Sequence, residues 1–112
     1  MATKKERIFF IGVASLGDKL STFLLEVLLP KKLDEKPKAV LSFGNYRPTI
    51  KQFEIDLEQK TATILLGKWD RKYEFTEQDG DWWIGTSQLG RVQMAQLSKS
   101  AVKKLQKKRR GT

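Results

Sequence analysis

The strongest constraint on the fold is a strict alternation of apolar and acidic residues within residues 50–58. The apolar members are Phe53, Ile55 and Leu57, and the acidic members are Glu54, Asp56 and Glu58. Because successive side chains of a β-strand point to opposite faces, this pattern predicts a strand with one buried and one solvated face. Half-exposed strands are typical of antiparallel sheets, so we expect the chain to be built around one.

Other short apolar segments, bounded by turn residues, supply further strands. We expect them over residues 7–15, 38–43, 61–66, 71–77 and 82–86. The turn between the last two contains Asp79-Gly80, a strong hairpin signal because glycine adopts positive φ without steric cost. Gly44-Asn45 ends the strand over residues 38–43 in the same way.

Residues 18–29 support two interpretations. Apolar residues recur there at helical spacing, between a capping Asp18 and a terminating Pro30. Alternate residues from Phe23 to Leu29 are also apolar, as in a strand. We favour the helix and keep the strand as the alternative.

The C-terminal part of the chain shows a narrower helical pattern. Met94, Leu97, Ala101 and Leu105 follow one another at spacings of three, four and four residues. The intervening positions are mostly Gln, Ser and Lys. This pattern predicts an amphipathic, basic helix from about residue 92, whose first half packs against the sheet.

A chain of 112 residues has room for one domain with its own core. We therefore expect a single α+β domain over residues 1–98. Its sheet would be a four- to five-stranded antiparallel meander, carrying the segment 18–29 and the C-terminal helix. Residues 99–112 would form a basic helical extension or tail.

Cysteine and histidine are both absent. Their absence excludes disulfides, Ser–His and Cys–His nucleophile pairs, and zinc sites built from these residues. We therefore expect a protein that is not an enzyme and that has no cofactor or metal site. No segment reaches the ~18 apolar residues of a membrane span. We expect a soluble protein of the cytoplasm, or of a nuclear or organelle interior, and not a secreted one.

The net charge of +9 is concentrated in the last 14 residues, which hold seven bases and no acid. These bases are Lys99, Lys103, Lys104, Lys107, Lys108, Arg109 and Arg110. Crowded cations favour a polyanionic partner, because neutralising phosphates releases condensed counterions. A localisation signal and a solubilising tail are the alternatives.

A second cluster combines aromatic and basic residues of one loop and of the start of the strand expected over residues 71–77. It comprises Arg47, Lys68, Trp69, Arg71 and Lys72. Exposed aromatic rings stack on unpaired bases, while neighbouring cations contact the phosphate backbone. Trp69 is the expected stacking residue, whereas Tyr73 is expected in the core.

Adjacent Trp82 and Trp83 point to opposite faces of their strand, so we expect one in the core. The other is either exposed for a protein contact or covered by the C-terminal helix. The segment Asp79–Val92 resembles the tryptophan-pair hairpin of SH3 domains. That resemblance implies that Trp82 contacts proline-rich peptides, but the aromatic motif that completes an SH3 groove is absent.

These features lead to one functional hypothesis and its alternatives. The first is a small, non-enzymatic nucleic-acid-binding protein, for DNA or RNA, that uses phosphate contacts and aromatic stacking. The alternatives are a protein-interaction or regulatory subunit that uses the Trp82/Trp83 hairpin, and a component of a ribonucleoprotein particle. The pattern leaves open the choice between single and double strands and the oligomeric state.

Overall fold

The computed structural model describes residues 6–16, 18–30, 35–67, 71–98, 100 and 101, and the elements in this part are antiparallel β-strands. They are β1 (Glu6–Leu16), β2 (Lys19–Leu29), β3 (Lys38–Ser42), β4 (Ile50–Asp56), β5 (Thr61–Leu66), β6 (Lys72–Asp79), β7 (Trp82–Ser87) and β8 (Gly90–Gln96). All eight belong to one sheet, in the order β3-β2-β1-β8-β7-β6-β5-β4.

The sheet curls into a nearly closed barrel. β1 pairs with both β2 and β8, so the first and last strands lie side by side. The two edge strands, β3 and β4, also contact each other. The result is an up-and-down barrel with one seam, between β3 and β4. The expected α+β class and the four- to five-stranded meander are therefore wrong.

Residues 18–29 form β2 and not a helix. β2 pairs with β1 along its length and with β3 over its second half. Its alternate residues Phe23, Leu25 and Val27 are buried inside the barrel. The strand is preferred because pairing on both sides satisfies its backbone hydrogen bonds while one complete face enters the core.

Residues 92–96 belong to β8, so the expected C-terminal helix is wrong there. Val92 and Met94 are buried, and β8 is inserted between β1 and β7. This pairing joins the two ends of the chain, so no local pattern encodes it. Residues 99 and 102–112 lie outside the described residues. In the described ranges, no helix is long and apolar enough to cross a membrane.

The core fills the inside of the barrel. Its largest fully buried side chains are Phe10, Phe75, Leu25, Leu41, Ile64, Met94, Val27 and Val92. Phe10 and Trp83 meet edge to face, with ring centroids 4.9 Å apart. The interior of an eight-stranded barrel is just wide enough for side chains to fill it. Surfaces available to partners are therefore the two ends and the outer wall.

Two glycines allow the close approach that this curvature requires. Gly12 faces Phe23, and a Cβ at Gly12 would overlap the Phe23 ring and the Gln93 carbonyl oxygen. A Cβ at Gly85 would overlap the carbonyl group of Glu74, beside a bulge in β6. Glycines and bulges of this kind bend the wall of a barrel.

Candidate functional site

The barrel has two ends that carry different parts of the chain. The terminal end holds the start of β1, the finish of β8, and the β2–β3, β4–β5 and β6–β7 connections. The distal end holds the β1–β2, β3–β4, β5–β6 and β7–β8 connections. This assignment follows from the strand order, because neighbouring strands run antiparallel all around the barrel.

The predicted cluster of basic and aromatic residues belongs to the distal end. Arg47 lies in the β3–β4 connection, Arg71 immediately precedes β6, and Lys72 is the first residue of β6. Lys68 and Trp69 lie outside the described residues. The fold thus gathers two separate segments of the chain at one end of the barrel.

The tail departs from the opposite end. All seven of its predicted bases, at position 99 and between 103 and 110, lie outside the described residues. Just before them, the Leu97 N–H donates to the Phe9 carbonyl at 2.8 Å, and the Ala101 N–H donates to Ser98 Oγ at 3.2 Å. Because β1 has 11 residues, and a strand rises ~3.3 Å per residue, the start of the tail is a barrel length away from Arg47.

The described charges are segregated between the two ends. Counting connections and the first or last three residues of each strand, the distal end carries six bases and two acids among the described residues, whereas the terminal end carries four bases and eight acids. The distal set is Lys19, Arg47, Lys51, Arg71, Lys72 and Arg91, with Asp18 and Glu74. The terminal set is Arg7, Lys36, Lys38 and Lys60, with Glu6, Glu35, Glu54, Asp56, Glu58, Glu77, Asp79 and Asp81. Among the described residues, the excess of positive charge, which attracts anions, therefore lies at the distal end.

Lys72 and Arg47, two basic residues of the distal end, differ in whether an acidic side chain lies beside them. Lys72 Nζ lies 2.7 Å from Glu74 Oε1, and both side chains are about half exposed. This ion pair offsets one cation of the cluster. Arg47 is exposed and forms no ion pair with any described residue.

Tyr46 is held next to Arg47 by a tight turn. The Phe43 N–H donates to the Tyr46 carbonyl at 2.8 Å, and the Tyr46 N–H donates to the Phe43 carbonyl at 3.0 Å. The two-residue turn between them begins at Gly44, whose φ of 61° suits glycine. The Phe43 ring packs inward on Phe23, with centroids 5.8 Å apart, whereas the Tyr46 ring is 49 % exposed. The turn is thus anchored in the core and presents an aromatic ring to solvent.

The chain that follows this turn is fixed as well. Pro48 is buried, and the Gly67 N–H donates to the Thr49 carbonyl at 2.9 Å. The Leu66 N–H donates to the Arg71 carbonyl at 2.8 Å. The Leu66–Arg71 bond closes the β5–β6 connection, and the Gly67–Thr49 bond joins this connection to the β3–β4 connection, so the two segments that carry the predicted arginines are direct neighbours.

The two adjacent tryptophans have different environments. Trp83 is 3 % exposed and packs on Phe10, so its side chain is part of the core. Trp82 is 39 % exposed on the outer wall. The predicted protein contact of this hairpin therefore depends on Trp82 alone.

Trp82 ends a row of apolar side chains on that wall. The register places Leu24 opposite Ile11, Ile11 opposite Ala95, and Ala95 opposite Trp82. Ile11 is 48 % exposed. The sequence pattern did not reveal this row, because its members come from four segments that only the strand register aligns.

An open cavity of about 510 Å³ lies at the terminal end. Its lining residues are Leu57, Lys60, Asp81, Trp83, Gln96, Leu97 and Ser98. Because Asp81 and Ser98 line the same cavity, the chain enters the tail beside an acidic turn. The described residues contain no group of three or more acids positioned to hold a metal ion.

The resemblance of residues 79–92 to an SH3 hairpin is confined to that hairpin. These residues span the end of β6, the whole of β7 and the start of β8, which are part of the eight-stranded barrel and not of an SH3 fold. Comparison with known proteins supplies no assignment, since no protein-family model, no curated protein and no solved structure matches the chain.

Proposed function

We propose that the chain is a non-enzymatic nucleic-acid-binding protein that contacts phosphates with the distal end of its barrel. The observation that supports this most directly is the segregation of charge, with six bases against two acids at the distal end among the described residues. An end with this excess of bases attracts a polyanion. Charge placement among the described residues thus favours contact through the distal end.

Arg47 is the central residue of this proposed interface. It is exposed, it has no acidic partner among the described residues, and it follows an anchored turn. A guanidinium presents several N–H donors in a planar fork that matches phosphate oxygens. Arg71, on the neighbouring connection, supplies a second guanidinium. Lys72 contributes less, because Glu74 already offsets its charge.

The tail adds a second, sequence-independent contact in this proposal. Its bases lie within residues 99–112, and it starts at the terminal end. A nucleic-acid strand that contacts both the tail and Arg47 therefore runs along the outer wall of the barrel. Acids near the start of the tail, such as Asp79 and Asp81, compete with phosphates for its cations. The net contribution of the tail is accordingly expected to be smaller than seven independent contacts.

The test compares charge removal at the two ends. Binding of a labelled oligonucleotide is measured by fluorescence anisotropy at several salt concentrations. The variants are Arg47→Ala/Arg71→Ala at the distal end and, as the matched control, Lys36→Ala/Lys38→Ala at the terminal end. The slope of log K against log salt is expected to fall in magnitude for each phosphate that a variant no longer neutralises, by ~0.7 for a single-stranded oligonucleotide and by ~0.9 for a duplex. Only the distal variant is expected to show this fall, and equal effects of both variants would refute the proposed interface.

A second candidate function rests on the outer apolar row. We propose that Leu24, Ile11, Ala95 and Trp82 associate weakly with a second copy of the chain. Under a two-fold axis between Ile11 and Ala95, the large Ile11 of each copy faces the small Ala95 of the other, and Leu24 faces Trp82. Four side chains cover far less than the ~800 Å² per partner of a standard interface, so the association is expected to be weak.

Sedimentation velocity over a range of concentrations tests this second candidate. We expect concentration-dependent dimerisation that is lost in Trp82→Lys. The matched control is Leu20→Lys, because Leu20 is 75 % exposed and lies outside the row. A monomer at every concentration would rule out the self-association.

A further inference from the structure

We infer that Tyr46 stacks on an unpaired base, and that the distal end therefore prefers single-stranded nucleic acid to a duplex. This inference depends on the proposed function and adds the class of ligand to it. It rests on three features of the described structure: the exposure of the Tyr46 ring, the charge beside it, and the way its backbone is held.

Exposure and charge single out Tyr46. Among the described aromatic side chains, only Tyr46 and Trp82 are exposed, by 49 % and 39 %. Trp82 is in register with Asp79 and follows Asp81 in the chain. A base stacked on Trp82 would bring its phosphates next to these carboxylates. Tyr46 instead precedes Arg47, at the distal end, where basic residues outnumber acidic ones among the described residues. A nucleotide stacked on Tyr46 therefore meets a cation.

The backbone around Tyr46 is fixed before any ligand binds. Two hydrogen bonds with Phe43 close the turn on one side, and buried Pro48 follows on the other. The Thr49 carbonyl accepts a further bond from Gly67. A tyrosine side chain has only two χ angles, so little conformational freedom remains to be lost on binding. An aromatic ring presented in this way is suited to act as a stacking platform.

Stacking on Tyr46 distinguishes single strands from duplexes. Inside a duplex, both faces of each base are covered by its neighbours, and exposing one requires unstacking at a cost of a few kcal/mol. The bases of a single strand expose their aromatic faces directly. Because every type of base has such a face, stacking on Tyr46 is tolerant of sequence. Arg47 then contacts the adjacent phosphate. The structure thus assigns Tyr46 and Arg47 complementary roles toward one nucleotide.

The experiment measures the affinity of the full chain for three labelled probes by fluorescence anisotropy. The probes are a single-stranded oligomer of about 15 nucleotides, the duplex of the same sequence, and an abasic sugar-phosphate strand of the same length. The variants are Tyr46→Ala, Tyr46→Phe, which retains the ring, and Trp82→Ala as the control for removal of an exposed aromatic ring elsewhere. Thermal melting of each variant confirms that the barrel is intact.

We expect Tyr46→Ala to weaken binding of the single strand roughly 5- to 100-fold. Tyr46→Phe and Trp82→Ala are expected to bind like the parent chain, and the duplex and abasic probes are expected to respond to none of the three variants. If Tyr46→Ala leaves the single-strand affinity unchanged, or weakens the abasic probe equally, the stacking inference is overturned while the proposed function stands. If the parent chain binds none of the probes at low salt, the proposed function itself fails.

Discussion

Replacing Trp83 with alanine tests the central packing feature of the barrel. Trp83 is 3 % exposed, and its ring meets the Phe10 ring edge to face at 4.9 Å. Truncating a buried tryptophan costs about 3–5 kcal/mol, of which the aromatic pair accounts for ~0.5–1.5 kcal/mol. With a urea slope of roughly 2 kcal/mol per molar, the unfolding midpoint is expected to fall by about 2 M.

The adjacent Trp82 supplies the matched control. Its ring is 39 % exposed on the outer wall, so Trp82→Ala is expected to cost less than about 1 kcal/mol. Urea unfolding followed by far-ultraviolet circular dichroism measures both variants. Since a domain is stable by only about 5–15 kcal/mol, Trp83→Ala can abolish folding, and Trp83→Phe then provides a measurable intermediate loss. Equal losses for Trp82→Ala and Trp83→Ala would refute the assignment of one ring to the core and the other to the wall.

Three further predictions concern the strand contacts, the interior and the tail. Gly85→Ala is expected to lower the free energy of unfolding by about 3 kcal/mol or more, because the added Cβ would overlap the Glu74 carbonyl. Gly67→Ala is the control, since the nearest atom to its added Cβ is 3.7 Å away, and it is expected to change the melting temperature little. The buried Tyr73 hydroxyl has no hydrogen-bond partner among the described residues. Tyr73→Phe is therefore expected to raise stability by about 1 kcal/mol in the same melts, and a decrease would show that the hydroxyl is bonded. Removal of residues 99–112 is expected to reduce the salt slope for binding of a single-stranded oligonucleotide, by ~0.7 for each phosphate that the tail neutralises. An unchanged slope would remove the tail from the interface.

Local sequence was sufficient for the hairpins. The alternation over residues 50–58 corresponds to β4 (Ile50–Asp56), and the Asp79-Gly80 turn joins β6 to β7 as predicted. Gly80 has the positive φ of 62° that this turn requires. Alternation and turn geometry depend on neighbouring residues only, so these elements were readable without the fold.

Local sequence was misleading where apolar residues lie on both faces of a strand. In β2, the helical spacing arose because outward-facing residues such as Leu20, Leu24 and Leu28 are apolar in addition to the buried inner face. The inner face decided the outcome, since it lies in the barrel interior. From residue 92, the apparent helical spacing combined Met94, which belongs to β8, with Leu97, which lies after the end of that strand. The spacing therefore merged two different segments into one predicted helix.

The same distinction applies to the candidate interface. Arg47 and Arg71 were identified from their residue types and the neighbouring aromatic residues. Sequence alone did not show that their connections are bonded to each other or that the tail begins at the opposite end. It also did not separate the exposed Tyr46 from the buried Trp83 as partners for a ligand.

The amino-acid sequence by itself determined that the chain contains an antiparallel sheet with tight turns, that it lacks the residues for histidine or cysteine chemistry, and that its cations crowd at one end of the chain. Only the tertiary structure decided that β8 lies beside β1, that bases outnumber acids at one end of the barrel and acids outnumber bases at the other among the described residues, and that Tyr46 stands exposed beside Arg47. The physical reason is that these relations join residues far apart in the chain. Their register is set by burying one face of every strand in a shared interior, and no local pattern contains that information.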